Sequence, residues 1–331
     1  MPDIITHYIF GLNATKNIAK TKLYSAIAKN RALFFLGCQG PDPMFYHDRY
    51  KEDNFSYVAA AMHNSKTKEF IESAMRFVCS NRGNLEETEQ LLAYMSGFLC
   101  HYILDSSVHP YIFYIGGKYI PGDPDTDKYM GVHRKMELAI DYLILKEAFD
   151  LEANKFKVHK HILKAKPVPK IILDLYEFSL RSTYDIKNGG QIFDISYRYF
   201  RNYFILTYDN FGVKKAVAKA ISPALPKEIA GLVDSFSYHK CYDGNIDYLN
   251  TSKDSWRHPI TGEISNESFD DLIAAAHAKV AEILRQLNIA IFKTATDNAD
   301  ALERFYATVP NISYTTGIDS DDKRPYKYAK F

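Results

Sequence analysis

Eight residues among the first 140 of this chain are of metal-ligating type: His7, Asp42, His63, His101, Asp105, His109, His133 and Glu137. Two groups of them stand at helical ligand spacing, because positions i and i+4 share a helix face and can aim an imidazole and a carboxylate at one cation. His101 with Asp105 is one such pair and His133 with Glu137 the other, and His109 continues the first stripe if the helix persists. Zinc accepts imidazole nitrogen and carboxylate oxygen, and catalytic zinc sites keep one position open for water. Five histidines and three carboxylates exceed the needs of one tetrahedral ion. The inventory therefore suits two or three Zn2+ ions, with a carboxylate bridging a close pair. Metals on the order of 3.5 to 4 Å apart can generate a hydroxide between them and stabilise the attacking and leaving oxygens of a phosphate ester. Phosphodiester hydrolysis is the chemistry such a cluster serves.

Taken singly, each pair has a plainer reading as an exposed helix ion pair worth about 0.2–0.5 kcal/mol. Against it, the run His101-Tyr-Ile-Leu-Asp105 is flanked by Phe98, Leu99, Tyr102, Ile103 and Leu104, which makes a poor solvated face. A buried carboxylate beside two imidazoles needs a cation or a dense set of hydrogen bonds. Other candidates carry less. Asp123, Asp125 and Asp127 alternate as in a calcium loop, but Lys128 stands where glycine is required and Arg134 where the bidentate glutamate belongs. Gly116-Gly117-Lys118 lacks the spacing of a phosphate loop. His159, His161, His239, His258 and His277 have no interpretable partner spacing, and His47 is expected at the surface. The aromatic run Tyr197, Tyr199, Phe200, Tyr203, Phe204 and Tyr208 is read as core, with an acyl or base pocket as the alternative.

The elements that must position these residues are helices, since apolar residues recur at three and four along most of the chain. Helices are expected over about 4–29, 63–80, 85–113, 129–147, 169–184, 190–219 and 266–304. Asn84 before Leu85-Glu86-Glu87 is a capping signal, and Ser265, Ser268 and Asp270 open the last long helix similarly. Gly40-Pro41-Asp42-Pro43 must turn, because each proline disfavours helix in the residue before it. The lysine-rich stretch 149–169 is the best boundary. It separates a metal-binding unit, 1–148, from a helical C-terminal region, 149–331, which could pack with the first as one unit and ends in a flexible tail from about 317.

Lys+Arg 41 against Asp+Glu 40 gives a net charge of +1, so no global field steers the chain to nucleic acid or an anionic membrane. A near-zero total says nothing of local patches. The four cysteines fall in no CxxC pair and are read as reduced. No secretory signal and no apolar run of bilayer length is present, so the expected compartment is the cytoplasm, with secretion left open if the chain is a mature form.

The ligand-bearing segments resemble the superfamily of bacterial zinc-dependent phospholipase C, glycosylphosphatidylinositol phospholipase D and the fungal single-strand-specific zinc nucleases, in its phospholipase C/D branch. The matching pieces are THYIFG around His7, GPDPMFY around Asp42, AAMHNS around His63, AYMSGFLCHYILDSSVHPY around His101, Asp105 and His109, and GVHRKMELAID around His133 and Glu137. The resemblance covers about residues 1 to 145. It implies an all-α fold of the zinc-dependent phospholipase C type, here with an additional helical C-terminal half. Asp42, His63, His101 and Asp105 would hold one ion, Asp105 would bridge to a second that His7 also binds, and His109, His133 and Glu137 would hold a third. In the family the amine and carbonyl of a mature N-terminal tryptophan also ligate metal. Here Pro2, exposed by loss of Met1, is expected to take that role. Asp42 would orient or deprotonate the attacking water, and a metal-bound hydroxide would cleave a phospholipid or other lipid-phosphate ester. A nuclease or small-molecule phosphodiesterase on the same cluster is the alternative, disfavoured for nucleic acid by the neutral charge. A non-catalytic zinc-binding helical module is the second alternative.

Overall fold

The computed structural model describes residues 3–47, 54–120, 122–224, 237–238, 242–292 and 298–330, so Pro2, His239 and Cys241 lie outside the described residues. The fold is all-α. Its helices are α1 (Ile4–Ala14), α2 (Lys22–Lys29), α3 (Arg31–Gly37), α4 (Ser56–Asn64), α5 (Thr67–Ser80), α6 (Leu85–Gly116), α7 (Val132–Phe149), α8 (Val158–His161), α9 (Lys170–Tyr184), α10 (Gly189–Leu206), α11 (Val213–Ile221), α12 (Phe269–Phe292) and α13 (Asn298–Thr308). A hairpin of two-residue strands, β1 (Trp256–Arg257) and β2 (Ile264–Ser265), interrupts the second half.

Helix α6 is the axis. Nearly every residue from Leu91 to Ile112 is buried, which an amphipathic surface helix could not be, and α1, α2, α3, α5, α7, α9 and α12 pack around it. Asn84 caps it as the sequence indicates, accepting from the Glu87 N–H at 3.2 Å. Helix α3 approaches unusually closely, because Gly37 and Gly97 face each other's backbones and a Cβ at Gly37 would lie 2.0 Å from the Tyr94 carbonyl. One apolar core runs from Ile4 to Tyr314 and includes α9, α10 and α12, so the second half packs onto the first. The aromatic run contributes Tyr197, Phe200 and Phe204 to it and leaves Tyr199 exposed.

Several expected helices divide. The segment 4–29 breaks after Ala14 into a 3-10 turn, Lys20 takes a positive φ of 71°, and Thr21 caps α2 by accepting from the Tyr24 N–H. The apolar periodicity crosses this break because Ile18 and Leu23 both reach the core. The segment 63–80 starts earlier, at Ser56, and breaks at Lys66, whose φ is 50°. The segment 190–219 divides at Thr207–Gly212, where Asp209 accepts from the Lys215 N–H and opens α11. The segment 266–304 gives α12 and α13, with Ser268 and Asp271 capping α12 reciprocally through Ser268 N–H and Asp271 N–H bonds to each other's side chains. His47 is buried, not at the surface, and accepts a long bond from the Phe55 N–H. After Gly317 the chain runs along the molecule, with Lys327 and Tyr328 N–H groups donating to the Pro259 carbonyl and Lys330 N–H to that of Tyr114.

Candidate metal centre

Helix α6 presents His101, Asp105 and His109 on successive turns of one face, all three buried. The turn after α3 brings Asp42 to them, α4 ends in His63, and α1 places His7 alongside. Gly40 makes the first of these approaches feasible. It sits at φ 50°, and a Cβ there would lie 2.1 Å from the His101 ring. Gly40→Ala is therefore expected to displace His101 and to lower zinc affinity by about 10-fold or more, which a competitive zinc titration would read.

Asp42, His63, His101 and Asp105 form one group whose donor atoms all lie within 4.8 Å of one another. The separations are specific. His63 Nε2 is 3.2 Å from Asp42 Oδ1 and 3.8 Å from Asp105 Oδ2, and His101 Nε2 is 3.7 Å and 3.4 Å from the same two oxygens. A tetrahedral ion with bonds of about 2.0–2.1 Å needs donor–donor edges of about 3.3–3.4 Å. The four donors bracket that figure. On the other side of the Asp105 carboxylate, Oδ1 lies 3.1 Å from His7 Nε2, so its two oxygens face two different donor sets. His109, His133 and Glu137 make a second close group, with His133 Nε2 2.7 Å from Glu137 Oε1 and the His109 and His133 rings stacked at 5.7 Å.

Backbone carbonyls orient the imidazoles. The carbonyl of Ala59 lies 2.7 Å from His63 Nδ1, that of Cys38 3.3 Å from His101 Nδ1, and that of Tyr314 2.9 Å from His109 Nδ1. A carbonyl only accepts, so each Nδ1 carries the proton and each Nε2 keeps its lone pair, which is the tautomer a metal needs. Asp105 and His7, both buried, make no hydrogen bond through either of their polar atoms, and His101 Nε2 makes none. So many unsatisfied buried groups around one carboxylate would be costly without a cation. The donor set fits zinc.

The electrostatics agree. Burial lowers His7 to about 3 and His63 to about 4, and pushes His101 and His109 well below the ordinary imidazole value. Burial raises Asp42, further lifted by the charge of Asp105, and burial raises Asp105 itself. In the metal-free chain these four imidazoles gain a proton on unfolding below about pH 6.5, while Asp42, Asp105 and Asp141, all raised by burial, lose one above about pH 3.8. Below about pH 6, where the unfolded imidazoles are mostly protonated, the protons gained outnumber those lost, so metal-free stability falls as the pH drops further, by about 1.4 kcal/mol per pH unit for each net proton. Thermal unfolding of chelator-treated protein should show Tm decreasing from about pH 6 to about pH 5. A flat or rising Tm would contradict buried neutral imidazoles.

Four features escaped the sequence reading. Asp141, eight residues after His133, binds the start of α1 by accepting from the Ile5 and Thr6 N–H groups at 2.9 and 2.8 Å and from the Thr6 hydroxyl. This fixes α1, one residue before His7, to the helix that carries His133 and Glu137. Its place on the Glu137 stripe, four residues on, was a legible signal. Asp3 and Arg134 close the same junction at 2.7 Å, with Arg134 3.8 Å from Glu137. Tyr314 had no local signal. Its carbonyl accepts from His109 Nδ1, its N–H donates to the His63 carbonyl at 2.9 Å, and its ring packs 4.9 Å from His63 and 4.6 Å from Tyr102.

Fold and site together define an all-α protein with a buried histidine–carboxylate centre compatible with zinc. A family model described as zinc dependent phospholipase C matches residues 6–207, and the chain belongs to that family. None of the curated proteins and none of the solved structures matches it. The match ends at the close of α10, so Tyr314 and the chain around it lie beyond it. Among the described residues, no helix is long and apolar enough to cross a membrane.

Proposed function

We propose that the chain is a phospholipid headgroup hydrolase of the phospholipase C type, and that its ligands are His7, Asp42, His63, His101, Asp105, His109, His133 and Glu137. The observation that carries this reading is the near-tetrahedral spacing of Asp42, His63, His101 and Asp105 in a chain of this family. Asp42, His63, His101 and Asp105 would hold one ion, Asp105 through its other oxygen and His7 a second, and His109, His133 and Glu137 a third. Zinc bound there supplies a Lewis acid that acidifies water and polarises phosphoryl oxygens.

The chain's own residues do the rest. Asp42 is the more open of the two carboxylates in its group, with 7% of its side chain exposed against none for Asp105. It accepts the proton of the attacking water, whose oxygen bonds to phosphorus as the bond to the diacylglycerol oxygen breaks. That proton then passes to the departing alkoxide, leaving an alcohol and a phosphomonoester. Asp105 and the carbonyl-oriented imidazoles hold the electrophilic side fixed, so little reorganisation accompanies the charge that develops.

The test is zinc content by mass spectrometry on protein purified without chelators, followed by headgroup release from phosphatidylcholine against cleavage of single-stranded DNA. Two or three zinc per chain and headgroup release are expected. Asp42→Asn should lower release by about 10²-fold or more while the metal-free variant unfolds close to the metal-free parent. One zinc or fewer, unchanged on adding zinc, would overturn the reading, and preferential DNA cleavage would move it to the nuclease chemistry.

A further inference from the structure

Helix α11, directly after the matched family region, is built unlike the others. None of its residues is buried. Val213, Val217 and Ile221 recur every fourth position and so share one face, exposed by 61%, 56% and 52%. Phe211, 77% exposed, and Leu206, 69% exposed, extend this apolar surface through the preceding turn. The rest of the helix carries Lys214, Lys215 and Lys219 and no acidic residue. A helix held only by water would gain nothing from this separation of apolar and basic faces.

The preceding segment ties α11 to the centre. Tyr203, one turn before the end of α10, packs 5.0 Å from Tyr46 in the turn that begins with Asp42. Thr207, Tyr208 and Asp209 line a small cavity together with Arg134, which neighbours Glu137. The exposed helix therefore follows the wall of the candidate centre by a few residues.

We propose that α11, with Phe211 and Leu206, is a docking element that lies in the surface of an anionic phospholipid bilayer. Its apolar stripe enters the boundary between headgroups and acyl chains, and Lys214 and Lys219 meet the lipid phosphates, Lys215 being turned to the protein, where it donates to the Ser237 carbonyl. A short helix with two outward lysines gives modest, reversible attraction, suited to an enzyme that must move between headgroups. The choice of a lipid surface rests on the phospholipid reading above, whereas the amphipathic face is independent of it.

The experiment is co-sedimentation of the full chain with vesicles of equal parts phosphatidylcholine and phosphatidylglycerol, and with phosphatidylcholine alone. Hydrolysis of a monomeric short-chain phosphatidylcholine is measured in parallel. The parent is expected to bind the anionic vesicles at least about 10-fold more tightly than the neutral ones. Phe211→Ser with Val217→Asp should lower binding to the anionic vesicles by about 10-fold or more and leave hydrolysis of the monomeric substrate unchanged. Lys214→Glu with Lys219→Glu should remove only the preference for anionic lipid. Vesicle binding that ignores the apolar substitutions would overturn the docking role, as would a dimer by light scattering that Val217→Asp dissociates. If the monomeric substrate is not cleaved while vesicle binding behaves as stated, the hydrolase reading fails and the docking role stands.

Discussion

Asp105→Ala is expected to lower phosphodiester hydrolysis by about 10³-fold or more and to reduce bound zinc, while the metal-free variant unfolds no more readily than the metal-free parent. The carboxylate is fully buried, its oxygens make no hydrogen bond, and they face His7 on one side and His63 and His101 on the other. Loss of the residue that would join two ions forfeits several kcal/mol of Lewis-acid stabilisation, at 1.36 kcal/mol per tenfold of rate. An unpaired buried carboxylate is itself a burden, so its removal relieves the metal-free fold. Paired thermal scans with and without zinc check this: the zinc-dependent rise in Tm should shrink in the variant. A variant that keeps the full rise and full turnover would remove Asp105 from the centre.

Tyr314→Ala is expected to cost about 3–5 kcal/mol of stability, the usual range for deleting a buried aromatic, and to weaken zinc binding by about 10- to 100-fold. The ring is 1% exposed and packs against His63, His101 and Tyr102, so its loss leaves a void beside two groups of the centre. The backbone it would loosen supplies the acceptor for His109 Nδ1. Gly317 holds the same segment close, since a Cβ there would lie 2.4 Å from the Ser106 carbonyl. Tyr314→Phe keeps the ring and the backbone and should retain zinc affinity. Chelator-competition titration of both variants, alongside thermal unfolding, separates the outcomes. Unchanged zinc affinity in the alanine variant would make the segment a structural strap only.

These two residues mark how far the sequence could be read. Asp105 was legible because α-helix geometry alone places His101, Asp105 and His109 on one face, and the apolar residues between them rule out a solvated one. The i, i+4 spacing puts His133 and Glu137 on one face of α7 likewise, but Arg134 and Lys135 between them gave no sign of burial. The all-α class follows from periodicity, and Asn84 and Ser268 mark their helix starts through their own side chains. The breaks at Lys20 and Lys66 were not legible. Both residues take left-handed backbone conformations that no lysine prefers, held by packing of the flanking helices and not by local propensity.

The amino-acid order by itself determined which side chains could bind metal and which of them share a helix, because ligand type and a 3.6-residue turn are local properties. Tertiary structure decided the rest. His7, Asp42 and His63 meet α6 only because Gly40 admits the turn beneath His101 and Asp141 pins the start of α1. The groups that set the imidazole tautomers are main-chain carbonyls, which every residue carries alike. The one that serves His109 comes from Tyr314, 205 residues away, and only the folded chain selects it.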